Sequence, residues 1–140
     1  MIVEILMAAT LTTAQTPAWT WTLYDGAGPV VLANERPDTP DLRSTLECNP
    51  GSSLVRISVY GPHLVPGFAS LTSGDATATV QATASADGAI VSPLRTDHPV
   101  FARFAATGNL ALVLGQHRQT IEIGDADLAK LRRFADLCSG

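Results

Sequence analysis

From Trp19 onward the chain is cut into short pieces by turn-forming residues, and this punctuation limits its fold more than any other feature. Turn signals recur at Asp25-Gly26-Ala27-Gly28, Asn49-Pro50-Gly51, Gly61-Pro62, Ser73-Gly74-Asp75, Asp87-Gly88, Thr107-Gly108-Asn109 and Gly115-Gln116. A spacing of roughly 7 to 14 residues suits short strands of a sandwich or barrel. Between the turns the residues alternate. Trp19, Trp21 and Leu23 share one face, Leu42, Ser44, Leu46 and Cys48 another, and Val55, Ile57 and Val59 a third, each opposed by polar neighbours. Period 2 with β-branched and aromatic side chains marks half-buried strands.

Two hairpins follow from the same logic. Ala76–Ser85 and Ala89–Leu94 flank Asp87-Gly88, a pair suited to the positive φ values of a type I′ turn. Leu110–Leu114 and Arg118–Ile123 flank Gly115-Gln116-His117. The stretch 76–89 carries almost no large side chain, so it buries little apolar area and reads as an edge or exposed ribbon. One helix is expected, at the end of the chain. Gly124-Asp125 opens it, Asp127 puts negative charge in its first turn, and Leu128, Leu131, Phe134, Ala135 and Cys138 fall on one stripe. The expected fold is mainly β: an antiparallel β-sandwich or flattened barrel of about eight to ten short strands, closed by one C-terminal α-helix.

The chain of 140 residues has room for one domain with its own core. Its only cysteines, Cys48 and Cys138, each fall on an apolar face. An even count in a small domain predicts one disulfide, tying the final helix to an early strand, and an oxidising compartment. Residues 1–14 read as a signal peptide. Ile5–Leu11 is a short apolar run and Thr12-Thr13-Ala14 supplies small residues, although Glu4 stands where a cation belongs. Either the start lies inside a longer leader, or the segment is a first apolar strand. Residues 15–140 then form the single β-rich domain, periplasmic or secreted.

Charge excludes some functions. Eight arginines and Lys130 against a net charge of −4 provide no basic patch for nucleic acid or an anionic membrane surface. No apolar run approaches the length of a membrane span. His63, His98 and His117 are far apart, without metal-ligand spacing, and no metal or cofactor is expected. Asp97-His98 invites an acid–base reading, but neighbours on an extended chain point to opposite faces. Gly51-Ser52-Ser53 lacks the elbow of a serine hydrolase. Glu35, Asp38 and Asp41 crowd a Pro-rich loop and read as solvated. Trp19 and Trp21 are core anchors or, if exposed, a platform for a ligand. With Tyr60 they are the candidate ligand or partner surface.

Trp19–Gly26, Pro37-Asp38-Thr39-Pro40-Asp41 and Leu46–Ser52 together resemble a recurring type of small exported bacterial protein of unassigned function. Its pattern is a tryptophan-led first strand, a P-x-T-x-D turn and an L-x-C strand before a glycine turn. The helix ending in Leu131–Cys138 is similar in architecture to type VI secretion-associated accessory proteins, whose last helix ends in a cysteine paired to a strand. These resemblances imply export and the disulfide, and transfer no catalytic residue. The expected function is a non-catalytic binding or structural domain at the cell envelope, with an envelope protein or small ligand as partner. An accessory subunit of an envelope or secretion complex is the alternative. A small hydrolase built on His98, Asp97 and a serine is the third reading.

Overall fold

The computed structural model of the chain describes residues 18–140; the leader read at 1–14 lies outside them. The alternating segments become nine strands: β1 (Thr20–Tyr24), β2 (Val30–Glu35), β3 (Leu42–Cys48), β4 (Leu54–Val59), β5 (Gly67–Ser73), β6 (Ala76–Ala84), β7 (Ile90–Arg95), β8 (Asn109–Leu114) and β9 (His117–Glu122). They form one curled antiparallel sheet in the order β1-β2-β3-β4-β7-β6-β5-β8-β9. The expected mainly β architecture with a closing C-terminal helix is therefore what the chain adopts. Residues of one parity line the inner face. Leu32, Leu46, Val55, Ile57, Val59, Leu71 and Leu112 are all fully buried there, and each such side chain contributes about 1.5–3 kcal/mol of transfer free energy.

Two helices fill the concave side, where one was expected. The additional helix, α1 (Pro99–Thr107), lies between β7 and β8. Proline at its first position costs no hydrogen bond. His98 caps it, Nδ1 accepting from the Val100 N–H at 3.1 Å. Val100, Phe101 and Phe104 point into the core, the two rings meeting edge to face at 6.4 Å. Gly108 ends the helix with φ of 80°, its N–H bonded to the Phe104 carbonyl at 2.7 Å. A Cβ at this position would collide with the Ile123 carbonyl oxygen, so both the conformation and the space require glycine.

The final helix, α2 (Leu128–Cys138), begins one turn later than expected, after a single 3-10 turn over Asp125–Asp127. Asp127 makes no side-chain cap; its carboxylate instead pairs with Lys130 at 2.8 Å. Lys130 also donates to the Trp21 carbonyl at 2.8 Å. Leu131, Phe134 and Cys138 are buried as the helix lies over β1 and β2. Its last turn reaches β3, where Cys138 is joined to Cys48 in a disulfide. The neighbouring loop caps the helix. The Gly51 N–H donates to the Leu137 carbonyl at 2.9 Å and the Ser53 N–H to the Cys138 carbonyl at 2.7 Å, satisfying acceptors that a helix end leaves free.

The small-residue ribbon is not an edge. β6 lies inside the sheet, between β5 and β7, and Ala78 and Ala82 are buried where α1 packs against β5 and β6. Small side chains here leave room for a helix above the strand. The ribbon does keep one free margin, because β6 pairs with β7 only at Thr83↔Val91 and Ala84↔Ile90. Beyond those pairs the strands part around a cleft of about 470 Å³, with Thr77, Thr79 and Val80 on one side and Pro93 and Leu94 on the other. Pro93 has no N–H to give a ladder, and the parting of β6 relieves it of one.

Candidate functional site

The helices occupy the inside of the curl, and one end of it is built from turns. There β1 and β3 begin and β2 and β4 end. The β6–β7 and β8–β9 turns arrive at the same end, because β7 begins beside the end of β4 and β8 ends beside the start of β5. From Tyr60 the segment 60–66 crosses this end to reach β5, since β4 and β5 are not neighbours. Side chains tie β9 to the other edge of the curl: Trp21 Nε1 of β1 donates to the Glu122 carbonyl at 3.1 Å and Gln119 Nε2 of β9 to the Arg43 carbonyl at 3.4 Å.

Two clefts open at this end. The first, of about 540 Å³, is lined by Trp19, Arg36, Pro40, Asp41, Leu42, Tyr60 and Asp87. Trp19 stands just before β1, and its ring carries two guanidinium groups. Arg43 lies 4.3 Å and Arg36 4.9 Å from the ring centroid, within cation–π range. Arg36 reaches Asp41 through Nη1 at 3.5 Å, a distance at the limit of a hydrogen bond, and its buried Nε has no partner. Arg43 has no carboxylate partner among the described residues. Its main chain is held by the Tyr60 N–H, which donates to the Arg43 carbonyl at 3.2 Å.

Tyr60 donates its hydroxyl to Asp87 at 2.9 Å. Burial, and then this bond and the Asp87 charge, push the Tyr60 hydroxyl up to about 12. Asp87 is held below its usual range by hydrogen bonds from Ser85 and then Tyr60. In the unfolded chain Tyr60 ionises near pH 10, whereas the folded chain keeps the proton to about pH 12. The raised value stabilises the folded state below the unfolded pKa, and this contribution is lost as pH rises from about 10 to 12. In a Tyr24→Phe background, phenolate absorbance should therefore show Tyr60 titrating above the free-tyrosine range. Asp87→Asn should lower that midpoint only in part, because burial is the larger cause. A midpoint near 10 in the folded parent would show a ring open to solvent.

The second cleft, of about 570 Å³, lies between His63, Val65, Pro66 and Phe68 on one side and Leu114–His117 on the other. Phe68 is 74 % and Val65 69 % exposed, the two most exposed of the large hydrophobic side chains among the described residues.

Of the residues singled out from sequence, Trp19 and Tyr60 meet in the first cleft. Trp21 does not: it is 7 % exposed and serves as a core anchor whose indole N–H ties β1 to β9. Cys48 and Cys138 lie in the core at the end of α2 and are wholly buried. Asp97 pairs with Arg95 at 2.9 Å, while His98 caps α1, so these two are not joined. His63 and His117 border the second cleft and His98 the space between β6 and β7. Among the described residues no group of three or more metal-ligating side chains comes together. No helix there is long and apolar enough to cross a membrane.

Sequence reasoning missed Arg36, Arg43 and Phe68. Arg43 falls on the polar side of its strand, and only the placement of β1, β2 and β3 side by side brings it to Trp19. No family model, curated protein or solved structure matches the chain. The functional reading accordingly rests on its own side chains.

Proposed function

We propose that this is a non-catalytic binding domain of the cell envelope, exported and held by one disulfide. The observation that carries the reading is the turn-built end of the curl, where Trp19 and Tyr60 line one cleft and exposed Phe68 and Val65 border another. Large apolar side chains left in water on a small domain are characteristic of contact surfaces. The disulfide supports export, since such bonds persist in oxidising compartments. The same exposed pair, Phe68 and Val65, favours a protein partner, and with it the second reading of an accessory subunit in an envelope or secretion complex.

A photo-crosslinking side chain at position 68, in cells making the full chain, tests this. The expected result is a discrete adduct with an envelope protein from position 68 and none from exposed Arg132, on protein carrying no free thiol. Equal labelling from both positions, no adduct from either, or two free thiols would overturn the reading.

A further inference from the structure

We infer that the free margin of β6 is a strand-addition site. It takes one extended, uncharged segment of a partner polypeptide, antiparallel to β6, through the main chain of Thr77, Thr79 and Gln81. The site lies along the parted β6–β7 seam, away from the turn-built end, and does not depend on Phe68 or Val65.

The register fixes which groups are free. The β5–β6 hairpin closes at Ser73↔Ala76 over the two-residue turn Gly74-Asp75, with Gly74 at a φ of 60°. The pair that closes such a turn is hydrogen-bonded, and bonded and non-bonded pairs alternate along an antiparallel ladder. Ala76, Ala78, Val80 and Ala82 therefore direct their main-chain groups to β5, whereas Thr77, Thr79, Gln81 and Thr83 direct theirs away from it. Thr83 meets Val91 of β7. The other three are exposed and have no main-chain partner on that side among the described residues. An N–H and a C=O at each of them stand in a row.

β7 does not close over this row. Continued beyond Thr83↔Val91, the ladder would next bond Gln81 to Pro93 and then Thr79 to Arg95. Pro93 has no N–H to give. The Arg95 carbonyl already accepts from the His98 N–H at 3.2 Å, where the chain turns into α1. The margin also lacks the charges and prolines that usually protect a sheet edge. Residues 76–84 read ATATVQATA, whereas the outer strand β9 carries Arg118 and Glu122.

The surroundings select the occupant. Every β6 has its own β7 beside it, which keeps two folded copies from pairing edge to edge, while a single extended chain fits between. The cleft of about 470 Å³ is bordered by Val80, Leu94 and Leu54. Its arginine and carboxylate, Arg95 and Asp97, are joined to each other by hydrogen bonds of 2.9 and 3.1 Å, and His98 Nδ1 caps α1. No charge there is left to ask for its opposite. Main-chain bonding with apolar contacts for alternate side chains is the pattern of strand addition.

The test is amide hydrogen exchange of the oxidised full chain with the probe acetyl-Lys-Thr-Val-Thr-Val-Thr-Lys-amide, whose end lysines serve solubility. In the free protein the N–H groups of Thr77, Thr79 and Gln81 should exchange fast, and those of Ala78 and Val80 slowly. Peptide at ten times its midpoint concentration should slow the first three about tenfold. Directly opposed residues share a face, so the peptide threonines should bond to β6 and its valines should face the cleft. N-methylation of the threonines should then abolish binding, and N-methylation of the valines should preserve it. Thr79→Pro removes a donor that makes no bond to β5, and should weaken binding at least about tenfold with its amide spectrum still that of a folded chain. The methylated peptides decide the matter on the parent chain if that variant does not fold.

Slow exchange of all three amides in the free protein, no protection by the peptide, equal binding of both methylated forms, or unchanged affinity in folded Thr79→Pro overturns the inference. Protection that grows with protein concentration in the absence of peptide assigns the margin to a second copy and overturns the peptide occupant. The binding-domain reading is judged separately, by the crosslinks from position 68.

Discussion

Replacing Cys48 and Cys138 together by alanine is expected to lower the unfolding free energy by about 4 to 5 kcal/mol, the largest effect of any change considered. The magnitude follows from the separation of 90 residues between the two cysteines. Closing a loop of that length removes much of the entropy of the unfolded chain. Native packing adds to the loss, because both sulfurs lie in the core and their removal detaches the last turn of α2 from β3. For a chain of this size the corresponding fall in Tm is about 15 °C. Urea unfolding of the oxidised parent and the double variant, side by side, measures it. A loss below about 1 kcal/mol would mean that the Leu131 and Phe134 contacts and the caps from the 49–53 loop hold the helix without the bond.

Phe104→Ala is expected to cost about 4 kcal/mol, within the range for a buried aromatic ring cut to a methyl group. Phe104 is fully buried, carried by the helix that packs on β5, β6 and α2, and paired edge to face with Phe101. A neighbour serves as the control. Arg103 lies on the outer side of the same helix, in an exposed pair with Asp75, so Arg103→Ala should cost no more than about 1 kcal/mol. Chemical unfolding of the two variants should show a shifted midpoint with similar slope for Phe104→Ala and little change for Arg103→Ala. Similar small losses in both would mean that α1 is not part of the core.

The strands were legible because a sheet buried on one face writes its period into the chain. Leu42–Cys48 and Val55–Val59 alternate with hardly an exception, and the turns between strands contain the glycines that positive φ demands. The disulfide was legible from arithmetic: two cysteines, each on an apolar face. The α1 helix was not. Its apolar positions Val100, Phe101 and Phe104 span barely more than one turn, too few to set a period against the strands on either side. Its boundaries were nonetheless marked, by His98-Pro99 at the start and Gly108 at the end. The interior place of β6 was hidden for a different reason. Alanine and threonine report how little a strand can bury, and say nothing of which strands lie beside it.

The candidate site divides in the same way. Trp19 and Tyr60 could be chosen because aromatic residues at strand ends are conspicuous. Trp19, Arg36 and Arg43 are brought together by the register of three adjacent strands, and no local pattern encodes that. The exposure of Phe68 was hidden as well, since hydrophobicity alone assigns a phenylalanine to the core.

The brief contact between β6 and β7 gives the molecule a mechanical grain. On one side of it, β1, β2, β3, β4 and β7 form a leaf with α2 laid across it, and the disulfide anchors that helix to the same leaf. On the other side, β5, β6, β8 and β9 form a second leaf that bears α1. The leaves meet through helix-on-helix packing, the indole of Trp21, the Gln119–Arg43 hydrogen bond and a ladder of two residue pairs. Each leaf thus has a helix of its own, and both close over one shared hydrophobic core. Strain applied to the molecule should open the β6–β7 line like the spine of a book before it breaks either page.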